Sequence, residues 1–244
     1  MRHLDPSLLG EGSGRLATPA AARTEEIELR VGDATILAYW TEAAADAVGS
    51  GWAFLYAPGA GSNVHDPFGK FLSETLPAAG IALMRFEFPY QQARRRFPDK
   101  PSVLEATWSS AIASARPRAP RLAAGGRSMG GRYASYAAAN GEPVDALVCF
   151  AYPLHPPGKT EQMRADHFPR IRVPMLVCSG TRDAFGSPDE IRAALAKVSA
   201  SSLYLLEGAD HSFAVLKSSG RIRAEVWREA AQATIDFLML ISCP

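Results

Sequence analysis

Ser128 stands in the run Gly125-Gly-Arg-Ser-Met-Gly-Gly131, and the chemistry open to it is nucleophilic attack. A serine hydroxyl is a poor nucleophile at neutral pH. It needs a base to take its proton and a carboxylate to orient that base. The chain supplies both downstream and in a consistent order. Asp183 ends the turn Ser179-Gly-Thr-Arg-Asp183, and His211 lies in Gly208-Ala-Asp-His-Ser-Phe213. The other histidines fit the base less well, since His65, His155 and His167 precede the acid and His3 lies near the N-terminus. Asp189 and Glu190 compete for the acid but open a helix, where carboxylates serve the helix dipole. Asp210 adjoins His211 too closely to reach round to its ring and reads as a loop hydrogen-bond acceptor. Attack on a carbonyl also requires two donors for the oxyanion. The backbone N–H of Met129, directly after the nucleophile, is one. The N–H of Ala60, in Gly59-Ala-Gly61, is the second.

These residues must be carried by particular elements. Arg121 to Gly125 is a short apolar strand, and Arg132 to Asn140 is an alanine-rich helix ended by Asn140-Gly141. G-x-S-x-G at the turn between strand and helix is the setting that raises this pattern above a flexible glycine loop that contains a serine. Gly126 and Gly130 then stand where the backbone must pass closely. Glu26 to Val31 and Ala34 to Trp40 alternate about Gly32-Asp33 and form a hairpin. From Trp52 the pattern becomes apolar runs separated by helices, as in a parallel sheet covered on both faces. Strands are expected at Trp52–Ala57, Ile81–Phe88, Val144–Tyr152, Pro174–Cys178 and Ser202–Leu206. Helices are expected at Pro67–Ala79, Val103–Ala115, after Ser187, and at Ile222–Leu240. Asp183 and His211 follow strands at the edge where Ser128 emerges, the edge at which such sheets build sites.

Residues 1 to 24 show little periodicity and read as a loose arm, leaving 25 to 244 as one domain. At 47% hydrophobic, that length can bury a full core. A net charge of +1 excludes a general nucleic-acid or membrane-surface binder. No basic-then-apolar leader opens the chain, and Cys149, Cys178 and Cys243 show neither paired framework nor metal-ligand spacing. Cytoplasmic residence, reduced thiols at Cys149 and Cys178, and no cofactor or metal are therefore expected. The oligomeric state is left open.

The elbow, the Gly59-Ala-Gly61 turn, Ser179 to Asp183 and Asp210-His-Ser212 together resemble the α/β-hydrolase superfamily over residues 26 to 241. Arg85-Phe-Glu-Phe-Pro-Tyr90 and Tyr152-Pro-Leu-His155 are similar to runs in its small, cap-poor, dienelactone-hydrolase-like group. That resemblance implies a mostly parallel sheet of about eight strands with helices on both faces and no large cap domain. It also implies a serine hydrolase. Two departures stand out: true dienelactone hydrolases use cysteine where this chain has Ser128, and Pro58 stands where many relatives have histidine. The expected activity is hydrolysis of an ester or thioester of a small soluble substrate. Acyl transfer to another acceptor and a non-catalytic interaction module on a retained hydrolase fold are the alternatives. Gly59, Gly61, Tyr152 and His155 are candidate pocket residues, with packing an equal account of the last two. Arg94-Arg-Arg96 reads as a solvated loop more than an anion attractor, and Arg127 as a scaffold ion-pair partner.

Overall fold

A computed structural model describes residues 22–45, 47 and 49–242. Residues 1–21 of the expected arm over 1–24, and Cys243, lie outside the described residues, and Thr24 already opens a strand. Eight strands form one sheet: β1 (Thr24–Val31), β2 (Ala34–Thr41), β3 (Trp52–Ala57), β4 (Ala82–Phe86), β5 (Arg121–Arg127), β6 (Ala146–Phe150), β7 (Met175–Gly180) and β8 (Ser201–Leu206). Their spatial order is β1-β2-β4-β3-β5-β6-β7-β8. The hairpin β1–β2 and the β2–β4 pair are antiparallel, and every pair from β4 to β8 is parallel. Helices α1 (Pro67–Ala78), α2 (Pro89–Gln92), α3 (Pro101–Ala115), α4 (Met129–Ala139), α5 (Pro188–Leu195) and α6 (Arg223–Leu240) complete the fold.

Period-two alternation along β3 divides the core. Ala53, Leu55 and Ala57 face a cluster that takes in Trp108 and Ile112 of α3, Tyr133 and Ala134 of α4, and Ile191 of α5. Trp52, Phe54 and Tyr56 face the opposite cluster, with Phe68 and Leu72 of α1 and Val226 and Phe237 of α6. The central strands are buried on both faces, which is why they read as unbroken apolar runs.

Several ends differ from the sequence expectation. β6 stops at Phe150 and β4 spans only Ala82–Phe86, because Ala151, Tyr152 and Phe88 are apolar through burial rather than through strand pairing. The four-residue helix α2 falls within what reads as loop, too short to show a helical period. Of the arginine run, Arg95 pairs with Asp99 at 2.5 Å, and all three side chains lie in exposed positions. α5 starts as expected, with a capping box in which Ser187 Oγ accepts from the Glu190 N–H and Glu190 Oε2 accepts from the Ser187 N–H. Cys149 and Cys178 are free and buried, and burial pushes both thiols far above their ordinary range. No helix among the described residues is long and apolar enough to cross a membrane.

Candidate active site

Ser128 has φ 50° and ψ −114°, a strained conformation between β5 and α4 that lifts its side chain off the sheet edge. The strain persists because the surroundings fix the chain. The Ser128 N–H donates to Phe150 O at 2.8 Å. A Cβ on either Gly126 or Gly130 would lie 2.0 Å from Ala57 O, so β3 ends directly against the elbow. The glycines thus make room for the neighbouring strand more than for each other.

The two downstream loops meet the elbow and one another. Arg182 N–H donates to Ala209 O at 2.9 Å, and a Cβ on Gly180 would come within 2.2 Å of the same carbonyl. This contact brings the acid loop and the histidine loop side by side. His211 Nε2 lies 2.9 Å from Ser128 Oγ, and its Nδ1 lies 2.8 and 3.0 Å from the two Asp183 oxygens. Asp183 is buried and also accepts from the Phe185 N–H at 2.8 Å. The Phe185 ring stacks on His211 with centroids 4.0 Å apart, an aromatic wall that no local motif marks. Asp210 turns away. Its Oδ1 accepts from Ser212 N–H, Ser212 Oγ and Ala214 N–H, which shapes the histidine loop.

Gly59, Ala60, Gly61, Ser128, Met129 and His211 line one cleft of about 640 Å³. The loop carrying Ala60 is held by the end of β4 and the run after it. Arg85 donates to Val64 O, and Glu87 accepts from Val64 N–H. Tyr90 Oη donates to Ala60 O at 2.7 Å, and Gln91 Nε2 donates to Gly59 O at 2.8 Å. Burial pushes the Tyr90 hydroxyl up to about 12, so it remains a donor at neutral pH. Tyr90→Phe is expected to lower kcat roughly 3- to 10-fold with little change in KM, the effect of one neutral hydrogen bond on the loop's aim. Steady-state kinetics check it.

Arg127 makes the ion pair expected of it and also lines the cleft. It reaches Asp66 at 3.7 Å and donates to His211 O at 3.3 Å. Asp66 in turn accepts from Tyr56 Oη at 2.6 Å and caps α1 through Gly69 N–H. Tyr152 and His155 do not line the cleft, which corrects the sequence expectation. Tyr152 is fully buried, with its Oη donating to Arg164 O at 3.2 Å and meeting Ser135 Oγ at 3.1 Å. His155 is buried against Pro156 O and the Glu190 carboxylate that caps α5. Sequence reasoning missed Arg132, Arg164, Phe185, Pro98 and Pro153, all of which line the cleft.

A family model for the alpha/beta hydrolase domain matches residues 50–239, most of the chain. The chain belongs to the alpha/beta hydrolase family. Its structural likenesses are to dienelactone-hydrolase-like serine hydrolases. A dienelactone hydrolase from Anabaena variabilis superposes with a TM-score of 0.66 at 21% identity, covering 87% of this chain and 97% of that one. An alpha-beta serine hydrolase homologue from Coxiella burnetii gives 0.69 at 16% identity, over 86% and 96% of the two chains. A serine hydrolase without lid from Xanthomonas campestris gives 0.65 at 17% identity, over 86% and 94%. At these identities the likeness is one of fold, and among the described residues of this chain no large cap lies over the strand ends.

Proposed function

We propose that this alpha/beta hydrolase cleaves an ester or thioester of a small molecule through an acyl-enzyme on Ser128. The observation that carries the proposal is the continuous hydrogen-bond line Ser128 Oγ–His211–Asp183, with both ring nitrogens of His211 engaged. Asp183 accepts a hydrogen bond from Nδ1–H, which holds the ring proton there and leaves Nε2 with its lone pair toward the serine hydroxyl. His211 takes the Ser128 proton as Oγ bonds to the acyl carbon. The resulting oxyanion rests on the N–H groups of Met129 and Ala60. Ala60 N–H has no acceptor among the described residues, and Met129 opens α4, where backbone donors are free of helical partners. Collapse breaks the bond to the leaving oxygen or sulfur, which takes its proton from His211. Water then adds to the acyl carbon as His211 accepts a proton, and Ser128 Oγ leaves with that proton.

Hydrolysis is favoured over acyl transfer because, among the described residues, no large cap covers the cleft at the strand ends to exclude water. A panel of short-chain p-nitrophenyl esters and matched acyl thioesters, followed for released p-nitrophenol or thiol, tests the proposal. Turnover of at least one class is expected. Failure of every ester and thioester, in protein that melts cooperatively, would contradict it and favour the interaction-module reading.

A further inference from the structure

Two guanidinium groups in the active-site cleft have no carboxylate partner among the described residues. Arg132 stands one turn into α4 from Ser128, and Arg164 lies in the connection between β6 and β7. Both line the cleft with Ser128 and His211. Neither belongs to an ion pair among the described residues. Arg132 packs over the Tyr133 ring at 5.1 Å, and its Nε is buried without a hydrogen-bond acceptor. Arg164 is held below the ordinary guanidinium value first by burial and then by the charge of Arg132, so the two cations feel one another. Burying a donor without an acceptor, and holding like charges together, both oppose folding. A protein gains from that arrangement when a ligand supplies the missing acceptors.

The rest of the lining sharpens the point. Asp66 is the acidic side chain lining the cleft, and it is committed to Tyr56, Gly69 N–H and Arg127. Arg127 is thereby engaged, and Arg132 and Arg164 keep their charge unmatched. The Arg164 backbone is also anchored. Its N–H donates to Leu154 O at 2.8 Å, and its carbonyl accepts from Tyr152 Oη at 3.2 Å. Tyr152 meets Ser135 Oγ, which lies 2.7 Å from His167 Nε2. Burial lowers the His167 ring to about 4, so it stays neutral and adds no third charge beneath the cleft at neutral pH. The buried network thus gives Arg164 a fixed base from which to reach into the cleft.

Resting on the serine-hydrolase reading, we propose that Arg132 and Arg164 form an oxyanion subsite that selects esters bearing a free carboxylate, such as monoesters of short dicarboxylic acids. Two planar forks match a carboxylate's two oxygens.

Kinetics on matched pairs test this: mono-p-nitrophenyl glutarate against p-nitrophenyl pentanoate for an acyl-side charge, and 4-acetoxybenzoate against phenyl acetate for a leaving-side charge. Wild-type protein should prefer the charged member of one pair by at least about tenfold in kcat/KM. Arg132→Gln and Arg164→Gln should each bring that ratio down toward one, a loss of about tenfold. Arg164→Lys, which keeps the charge, should retain part of it, which separates loss of charge from loss of fold. A charged-to-neutral ratio near one in wild type, or an unchanged ratio in both glutamine variants, would overturn the proposal. Calorimetry with glutarate on Ser128→Ala protein reads the subsite without turnover. Glutarate binding that disappears in the added Arg132→Gln/Arg164→Gln background supports it even if no ester is hydrolysed, whereas absence of glutarate binding overturns it. Binding of inorganic phosphate in place of glutarate would overturn the carboxylate assignment in favour of a phosphate-bearing ester.

Discussion

Ser128→Ala is expected to lower kcat for any ester substrate by on the order of 10⁶-fold, the loss seen when a triad nucleophile is removed. The protein should still fold. Alanine is smaller than serine, and the strained φ is fixed by Gly126 and Gly130 against Ala57 O rather than by the hydroxyl. A residual rate above the uncatalysed reaction should remain, because Met129 N–H and Ala60 N–H still meet a carbonyl when water attacks. Steady-state and single-turnover kinetics on a chromogenic ester measure the drop, and thermal melting shows that the fold survives.

Asp183→Asn is expected to lower kcat by about 10⁴-fold with modest change in KM. The reason is the tautomer of His211. The carboxylate accepts from Nδ1 at 2.8 to 3.0 Å, so the ring proton sits there and Nε2 faces Ser128 as an acceptor. An amide fills the same volume and can keep its oxygen on the Phe185 N–H, where Asp183 Oδ1 accepts now. Its NH₂ then points at Nδ1 and drives the ring proton to Nε2, which can no longer accept from Ser128. The pair of variants is informative together. The aspartate change should spare geometry while removing base function, so fluorophosphonate should label Asp183→Asn slowly and Ser128→Ala not at all.

Much of the fold was legible because the strongest signals were local. The Gly32-Asp33 turn sets the hairpin, the apolar runs mark doubly covered strands, and Ser187-Pro-Asp-Glu190 opens α5. The spacing of glycines about Ser128, followed in order by Asp183 and His211, was enough to name three residues that the fold joins in a line, with His211 within 3.0 Å of both Ser128 and Asp183. What escaped notice depends on long-range convergence. Arg132 and Arg164 are far apart in sequence, and neither has a neighbour that marks it. The contiguous Arg94 to Arg96 drew attention instead, although none of these lines the cleft. Tyr152 and His155 sit just past a strand end, as pocket residues do, yet β6 stops early and turns both inward beneath the Arg164 segment and onto the α5 cap. The run from Arg85 to Tyr90 was visible as a motif, but its work on the Gly59 to Val64 loop, shared with Gln91, shows only when β4 is placed beside β3.

The central claim is that Ser128 is a nucleophile activated by His211. Labelling with a fluorophosphonate, followed by mass spectrometry of the digested protein, reads it most directly. The account predicts one adduct on the peptide containing Ser128, sharply slowed labelling in His211→Ala, and none in Ser128→Ala. Equal labelling of wild type and Ser128→Ala, or an adduct on any other residue in place of Ser128, would contradict it.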